Sequence, residues 1–172
     1  EKIIIIDFGS QVTKLIARRI RDLGVYSEIL NIKELKDLKN FDKIRGIILS
    51  GGPATVTKKT FPNIPNKIFN KKIPILGICY GLQLIAKKFG GKIKSESKKR
   101  EFGKVLLKKF KKSRLTKGFF IKNTATVWMS HQDGVYKLPK GFKKIAFTSS
   151  SSFSIIENSN ENITIATTRP ET

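Results

Sequence analysis

The stretch Ile73-Pro74-Ile75-Leu76-Gly77-Ile78-Cys79-Tyr80-Gly81-Leu82-Gln83 decides the fold. Residues 73–79 form an apolar run of the length of a strand buried on both faces. Leu82, Ile85, Ala86 and Phe89 then recur at helical spacing until Gly90-Gly91 closes the helix. The same strand-to-helix step occurs upstream. Residues 3–6 are four isoleucines, Asp7-Phe8-Gly9-Ser10 reads as a turn with Ser10 as the helix N-cap, and Val12, Leu15, Ile16, Ile20 and Leu23 mark one helical face that ends at Gly24. Between these steps lie a short strand at 27–30, a weak helix at 32–38, and a strand at 46–49 that runs into Ser50-Gly51-Gly52-Pro53.

Beyond about Lys92 the helical signal fades. Short strands are expected at 105–107, 125–129, 144–148, 153–156 and 163–166. The basic runs at 98–100 and 108–112 read as solvated loop or edge-strand surface. The fold class that follows is α/β: an open, largely parallel sheet flanked by helices, with a β-rich second half. Ligands in such sheets bind beyond the carboxyl ends of the strands, where all three glycine-marked turns should lie. The length of 172 residues suits a single domain, 1–172, expected to be incomplete at its C-terminus.

Composition narrows the chemistry. A net charge of +22 is the strongest bulk signal, but the lysines are spread over the whole chain, so it reads as a solvated basic surface and nucleic acid is not an expected partner. One cysteine excludes an internal disulfide framework, and one cysteine with one histidine falls short of a usual zinc site; no metal is expected. A reducing, cytoplasmic setting fits. The apolar run closed by Asp7 is too short for a membrane span.

Cys79 sits directly after a strand, between Gly77 and Gly81. Those glycines permit a sharp turn, and a following helix N-terminus favours a thiolate, so the position has the makings of a nucleophile elbow. A small buried core side chain is the equally weighted alternative on spacing alone.

Four segments in order shift that balance by resemblance: Asp7-Phe8-Gly9-Ser10-Gln11, Leu49-Ser50-Gly51-Gly52-Pro53, Gly77-Ile78-Cys79-Tyr80-Gly81-Leu82-Gln83 and Val127-Trp128-Met129-Ser130-His131-Gln132-Asp133. Together they resemble class I glutamine amidotransferases. The first, the fourth and Arg100-Glu101-Phe102-Gly103 look like the glutaminase domain of GMP synthetase. The resemblance implies that Cys79 attacks the glutamine carboxamide, forms a thioester and releases ammonia. It further implies that Gly52 and Tyr80 supply oxyanion donors, and that Gly51, Gln83, Ser130, His131 and Asp133 contact the substrate. No cofactor is implied for this domain. ATP and Mg would belong to an ATP-dependent synthetase partner that aminates XMP to GMP.

One position departs from the family pattern, which ends in His-Pro-Glu. Here Thr168-Arg169-Pro170-Glu171 stands in that place, with Arg169 at the histidine position and Glu171 at the glutamate. A guanidinium stays protonated and cannot accept the thiol proton. The expectation is therefore a glutaminase weakened in turnover, with a catalytically dead module that binds or regulates a synthetase as the alternative. Residues 166–172 also resemble a threonine-rich editing segment of some aminoacyl-tRNA synthetases, over too few residues to carry a function.

Overall fold

The computed structural model describes residues 1–95, 101–131, 133–160 and 163–166, with the side chains of Glu101, His131, Thr164, Ile165 and Ala166 excepted. Its first half runs β1 (Lys2–Ile6), α1 (Thr13–Asp22), β2 (Ser27–Leu30), α2 (Ile32–Asp37), β3 (Ile44–Leu49), a short 3-10 helix (Asn66–Lys71), β4 (Ile75–Ile78) and α3 (Tyr80–Lys88). Among the described residues, the elements of the second half are strands: β5 (Lys92–Ser95), β6 (Glu101–Lys109), β7 (Thr124–His131), β8 (Asp133–Lys137), β9 (Lys143–Phe147), β10 (Ile155–Asn158) and β11 (Ile163–Ala166).

Nine of these strands share one sheet in the order β2-β1-β3-β4-β11-β10-β9-β6-β7, and β5 pairs with β8 in a second. The run β2-β1-β3-β4-β11 is parallel throughout. Beyond β11 every pairing is antiparallel. Strand β11 is therefore the seam between halves: Ile163 to Ala166 pair in register with Ile75 to Ile78 on one side, and with β10 on the other.

Side-chain alternation explains why β1 can be four consecutive isoleucines. Successive residues on a strand face opposite sides. Ile4 and Ile6 belong to the core that includes Leu35 of α2 and Leu82 and Ile85 of α3, whereas Ile5 joins Ile16 and Ala17 of α1 on the other face. Burial of each such side chain contributes on the order of 1.5–3 kcal/mol. A third cluster, with Leu107, Val127, Met129, Ile145 and Ile155, fills the antiparallel half.

Helix ends follow local chemistry. α2 carries a full capping box, Asn31 Oδ1 accepting from the Glu34 N–H at 2.9 Å and Glu34 Oε2 from the Asn31 N–H at 2.7 Å. α1 and α3 both end in paired carbonyl caps. Val25 N–H reaches the Ile20 carbonyl and Gly91 N–H the Ala86 carbonyl, with Gly24 and Gly90 at φ of 78° and 80°.

The structure corrects the sequence reading in places. Ser10 is not the N-cap of α1; that position is Val12, and Ser10 Oγ instead accepts from the Val12 N–H at 3.3 Å, so an extra turn precedes the helix. Strands β5 and β8 went unforeseen, because Lys92–Ser95 and Asp133–Lys137 carry too few apolar residues to stand out. The basic run at 108–112 begins inside the sheet, where Lys108 pairs with both Thr124 and Phe147. The run at 98–100 lies outside the described residues.

α3 is set on the sheet by a close backbone approach. A Cβ placed on Gly81 would stand 2.3 Å from the Leu49 carbonyl oxygen, and one on Gly77 would stand 2.7 Å from Gly81 itself. Gly81→Ala should therefore lower stability by about 1–3 kcal/mol through overpacking against backbone that cannot yield. A reduced urea midpoint with unchanged m-value checks this.

Candidate functional site

The carboxyl ends of β1, β3 and β4 meet at one edge, and the residues leaving them build the site. Leaving β1, Asp7 folds back on its own turn: Oδ1 accepts from the Gly9 N–H at 2.9 Å and from the Thr13 hydroxyl at 2.8 Å. Leaving β3, the fully buried Ser50 accepts from the Phe8 N–H at 3.3 Å and donates to the Gly51 carbonyl at 2.9 Å. The β1 and β3 turns are thereby tied together. Gly52 then passes so near Phe8 that a Cβ there would lie 2.4 Å from the Phe8 carbonyl oxygen.

Leaving β4, Cys79 takes φ 51° and ψ −105° as the residue before α3. That is a left-handed φ for a side chain with a Cβ, a conformation costing about 1–3 kcal/mol, which persists where the surroundings impose it. Here the surroundings are the Gly81 N–H bonded to the Ser50 carbonyl at 3.2 Å and the Gln83 N–H bonded to the Cys79 carbonyl at 3.2 Å. The turn brings Cys79 against Gly51: a Cβ on Gly51 would stand 3.4 Å from Cys79 Cβ. Cys79 is half-buried and lies at the start of α3, where helix dipoles favour negative charge. The Tyr80 N–H, first of the helix, precedes any intrahelical acceptor.

Tyr80 has its side chain in the core. It is 1% exposed, stacks edge-on against Phe8 with ring centroids 5.0 Å apart, and donates its hydroxyl to the Pro62 carbonyl. Burial pushes the phenol up to about 12.

The remaining sequence candidates divide. Gln83 and Asp133 come together: Gln83 is 6% exposed and its Nε2 donates to the Asp133 backbone carbonyl at 3.5 Å, while Gln83 Oε1 is buried with no partner among the described residues. Ser130 is exposed at the end of β7, opposite Phe102, and His131 pairs through its backbone with Glu101. Arg169 and Glu171 lie outside the described residues. β11 ends at Ala166, abreast of Ile78 and so one residue short of the level of Cys79. Sequence reading passed over Ser50, Thr13 and Thr55. Ser50 and Thr13 are buried hydroxyls within or next to the quoted motifs, a signal that was available. Among the described residues, no group of three His, Cys, Asp or Glu side chains is placed to hold a metal, and no helix is long and apolar enough to cross a membrane.

A strained cysteine thus stands on a strand-to-helix turn with Gly51 against its Cβ. The family profile described as glutamine amidotransferase class-I matches residues 4–167. The chain belongs to that family.

Within it, the chain is 47% identical over 171 residues to a glutamine-hydrolysing GMP synthase of Petrotoga mobilis and 46% identical over 169 residues to one of Fusobacterium nucleatum. These alignments cover 99% and 98% of this chain but 32% of each relative, so the chain spans about a third of the length of the curated relatives it matches. Among solved structures, a Thermoplasma acidophilum protein described as a candidate GMP synthase component superposes with a TM-score of 0.84 at 28% identity, covering 99% of this chain and 84% of that one. The amidotransferase domain is thus closely related to the glutaminase domain of GMP synthetases, and the expected α/β architecture is the one observed.

Tyr80 gives a test of this packing. Its phenol titrates near 10 when unfolded and about 12 when folded, so the folded state holds its proton longer. The stability this contributes is fully present below pH 10 and is lost as pH rises through 12. Tyr80→Phe should cost about 1 kcal/mol at pH 8, by leaving the Pro62 carbonyl without its donor. The gap to wild type should narrow above pH 10, as paired urea titrations at the two pH values will read.

Proposed function

We propose that this domain hydrolyses glutamine at Cys79 and passes the ammonia to an ATP-dependent synthetase that converts XMP to GMP. The strained Cys79 turn against Gly51 is the single observation that most supports a nucleophile over a core cysteine. The names of the relatives, glutamine-hydrolysing GMP synthases, supply the product. Since those relatives are about three times as long, the synthetase activity belongs to a further domain or subunit.

Chemically, the Cys79 thiolate attacks the carboxamide carbon, and the carbonyl π pair moves onto oxygen. The Gly52 and Tyr80 N–H groups hold that oxyanion. Collapse breaks the C–N bond, ammonia leaves with an added proton, and water then cleaves the thioester to glutamate. Both proton transfers need a group that accepts and returns a proton, and Arg169, at the position where the family carries histidine, cannot do so. Glu171, at the family's glutamate position, would orient such a group.

Arg169 also supports a second reading, in which the domain binds glutamine without turning it over and serves its synthetase as a sensor or docking module. The two are separated by one substitution. Arg169→His should raise glutamate release by about 10²–10⁴-fold, the usual contribution of general acid–base catalysis, and Cys79→Ala in the same background should abolish the gain. A folded Arg169→His protein with no added activity, yet still binding glutamine, would favour the sensor.

A further inference from the structure

The loop that leaves Gly52 makes contacts that the reaction above does not use. Val56 is fully buried, Lys87 of α3 donates to its carbonyl, and the Lys87 ammonium sits 4.3 Å from the centre of the Phe61 ring. With the Tyr80 bond to Pro62, this loop is fastened to α3 along its length. Its first anchor is different. The Thr55 hydroxyl donates to Oδ2 of Asp133, far away in sequence at the start of β8.

Asp133 is out of place electrostatically. It is 8% exposed in a chain of net charge +22, yet no lysine or arginine forms a salt bridge with it among the described residues. A buried carboxylate is costly unless paired with a cation and hydrogen-bonded. Beside it, the buried Gln83 Oε1 is an acceptor with no partner among the described residues, while Gln83 Nε2 donates to the Asp133 backbone carbonyl. Two acceptors short of donors suit a group with three N–H bonds and a positive charge: a primary ammonium.

Thr55 has one proton to give. Its oxygen lies 2.8 Å from the Thr57 hydroxyl and 3.1 Å from the Thr57 N–H, which donates to it. With that oxygen supplied by Thr57, the Thr55 proton is committed to Asp133, and the carboxylate is held to one orientation.

We propose that Thr55 is a positioning residue, fixing the Asp133 carboxylate so that it and Gln83 Oε1 receive the α-ammonium of glutamine. This rests on the glutamine-site reading above. It adds that recognition of the amino end is set by the same loop that carries the Gly52 donor, so that the two ends of the substrate are gauged by one segment.

Calorimetric binding of glutamine and of glutaramate, which lacks the α-ammonium, separates the possibilities without requiring turnover. Wild-type protein should prefer glutamine by tenfold or more. Thr55→Val should lose most of that preference while binding glutaramate as wild type does; Thr55→Ser should restore it; and Thr55→Val should change nothing further in an Asp133→Asn background. A merely structural Thr55 would weaken both ligands equally, and that result overturns the inference, as does unaltered discrimination in folded Thr55→Val. Should the valine variant not fold, Thr55→Ala, which removes the same hydroxyl donor, must reduce the preference in the same direction. Wild-type protein that binds neither ligand overturns the underlying site reading and this inference with it. Equal binding of the two by wild type overturns the inference alone.

Discussion

Backbone meets backbone at two points on the carboxyl edge of the sheet, and most of the architecture depends on those contacts. Gly81 admits the Leu49 carbonyl, and Gly52 admits that of Phe8, each at a separation where any Cβ would collide. The first presses the start of α3 onto β3; the second nests the β3 turn inside the β1 turn. Because α3 cannot move outward without losing the Gly81–Ser50 hydrogen bond, the residue just before it must absorb the mismatch in direction. That residue is Cys79, and its left-handed φ is the result. Strain at the candidate nucleophile is thus a product of helix placement, held by a core in which Leu49, Leu82 and Ile85 are completely buried.

The buried hydroxyls extend this logic. Ser50 and Thr13 contribute little apolar area, yet they satisfy polar groups that the tight turns leave without partners. Replacing Ser50 by alanine would keep the shape and leave the Phe8 N–H without its acceptor. The polar atoms beneath the turns are therefore as structural as the isoleucines on either side of the sheet.

How much of this was legible beforehand differs by region, for physical reasons. Strands β1, β3 and β4 are buried on both faces, so their sequences are largely apolar runs, and the helices after β1 and β4 show a clear period. The motif around Cys79 was readable for the same reason: its glycines are demanded by contact distances. Strands β5 and β8 form a small separate sheet, and Lys92–Ser95 has only Ile93 to suggest strand. Ser10 was misassigned because its hydroxyl has two local options, a helix cap or a tight turn, and only the tertiary pull of Asp7 on Thr13 selects between them. Thr55 was invisible, since its partner is remote in sequence and nothing local marks a threonine that orients a distant carboxylate.

Strand β11 carries a consequence in the dimension of time. It lies in the middle of the large sheet, between β4 and β10, although every other strand described precedes it along the chain. A polypeptide emerging from the ribosome would thus lay down the outer rows of both halves with a gap between them, their facing edges lacking hydrogen-bond partners, until the last row arrives. Closure of that gap joins the parallel and antiparallel halves in a single event. It also brings Ala166 abreast of Ile78, the residue before Cys79, only then, so β4 lacks its neighbour on that side until synthesis has passed this strand.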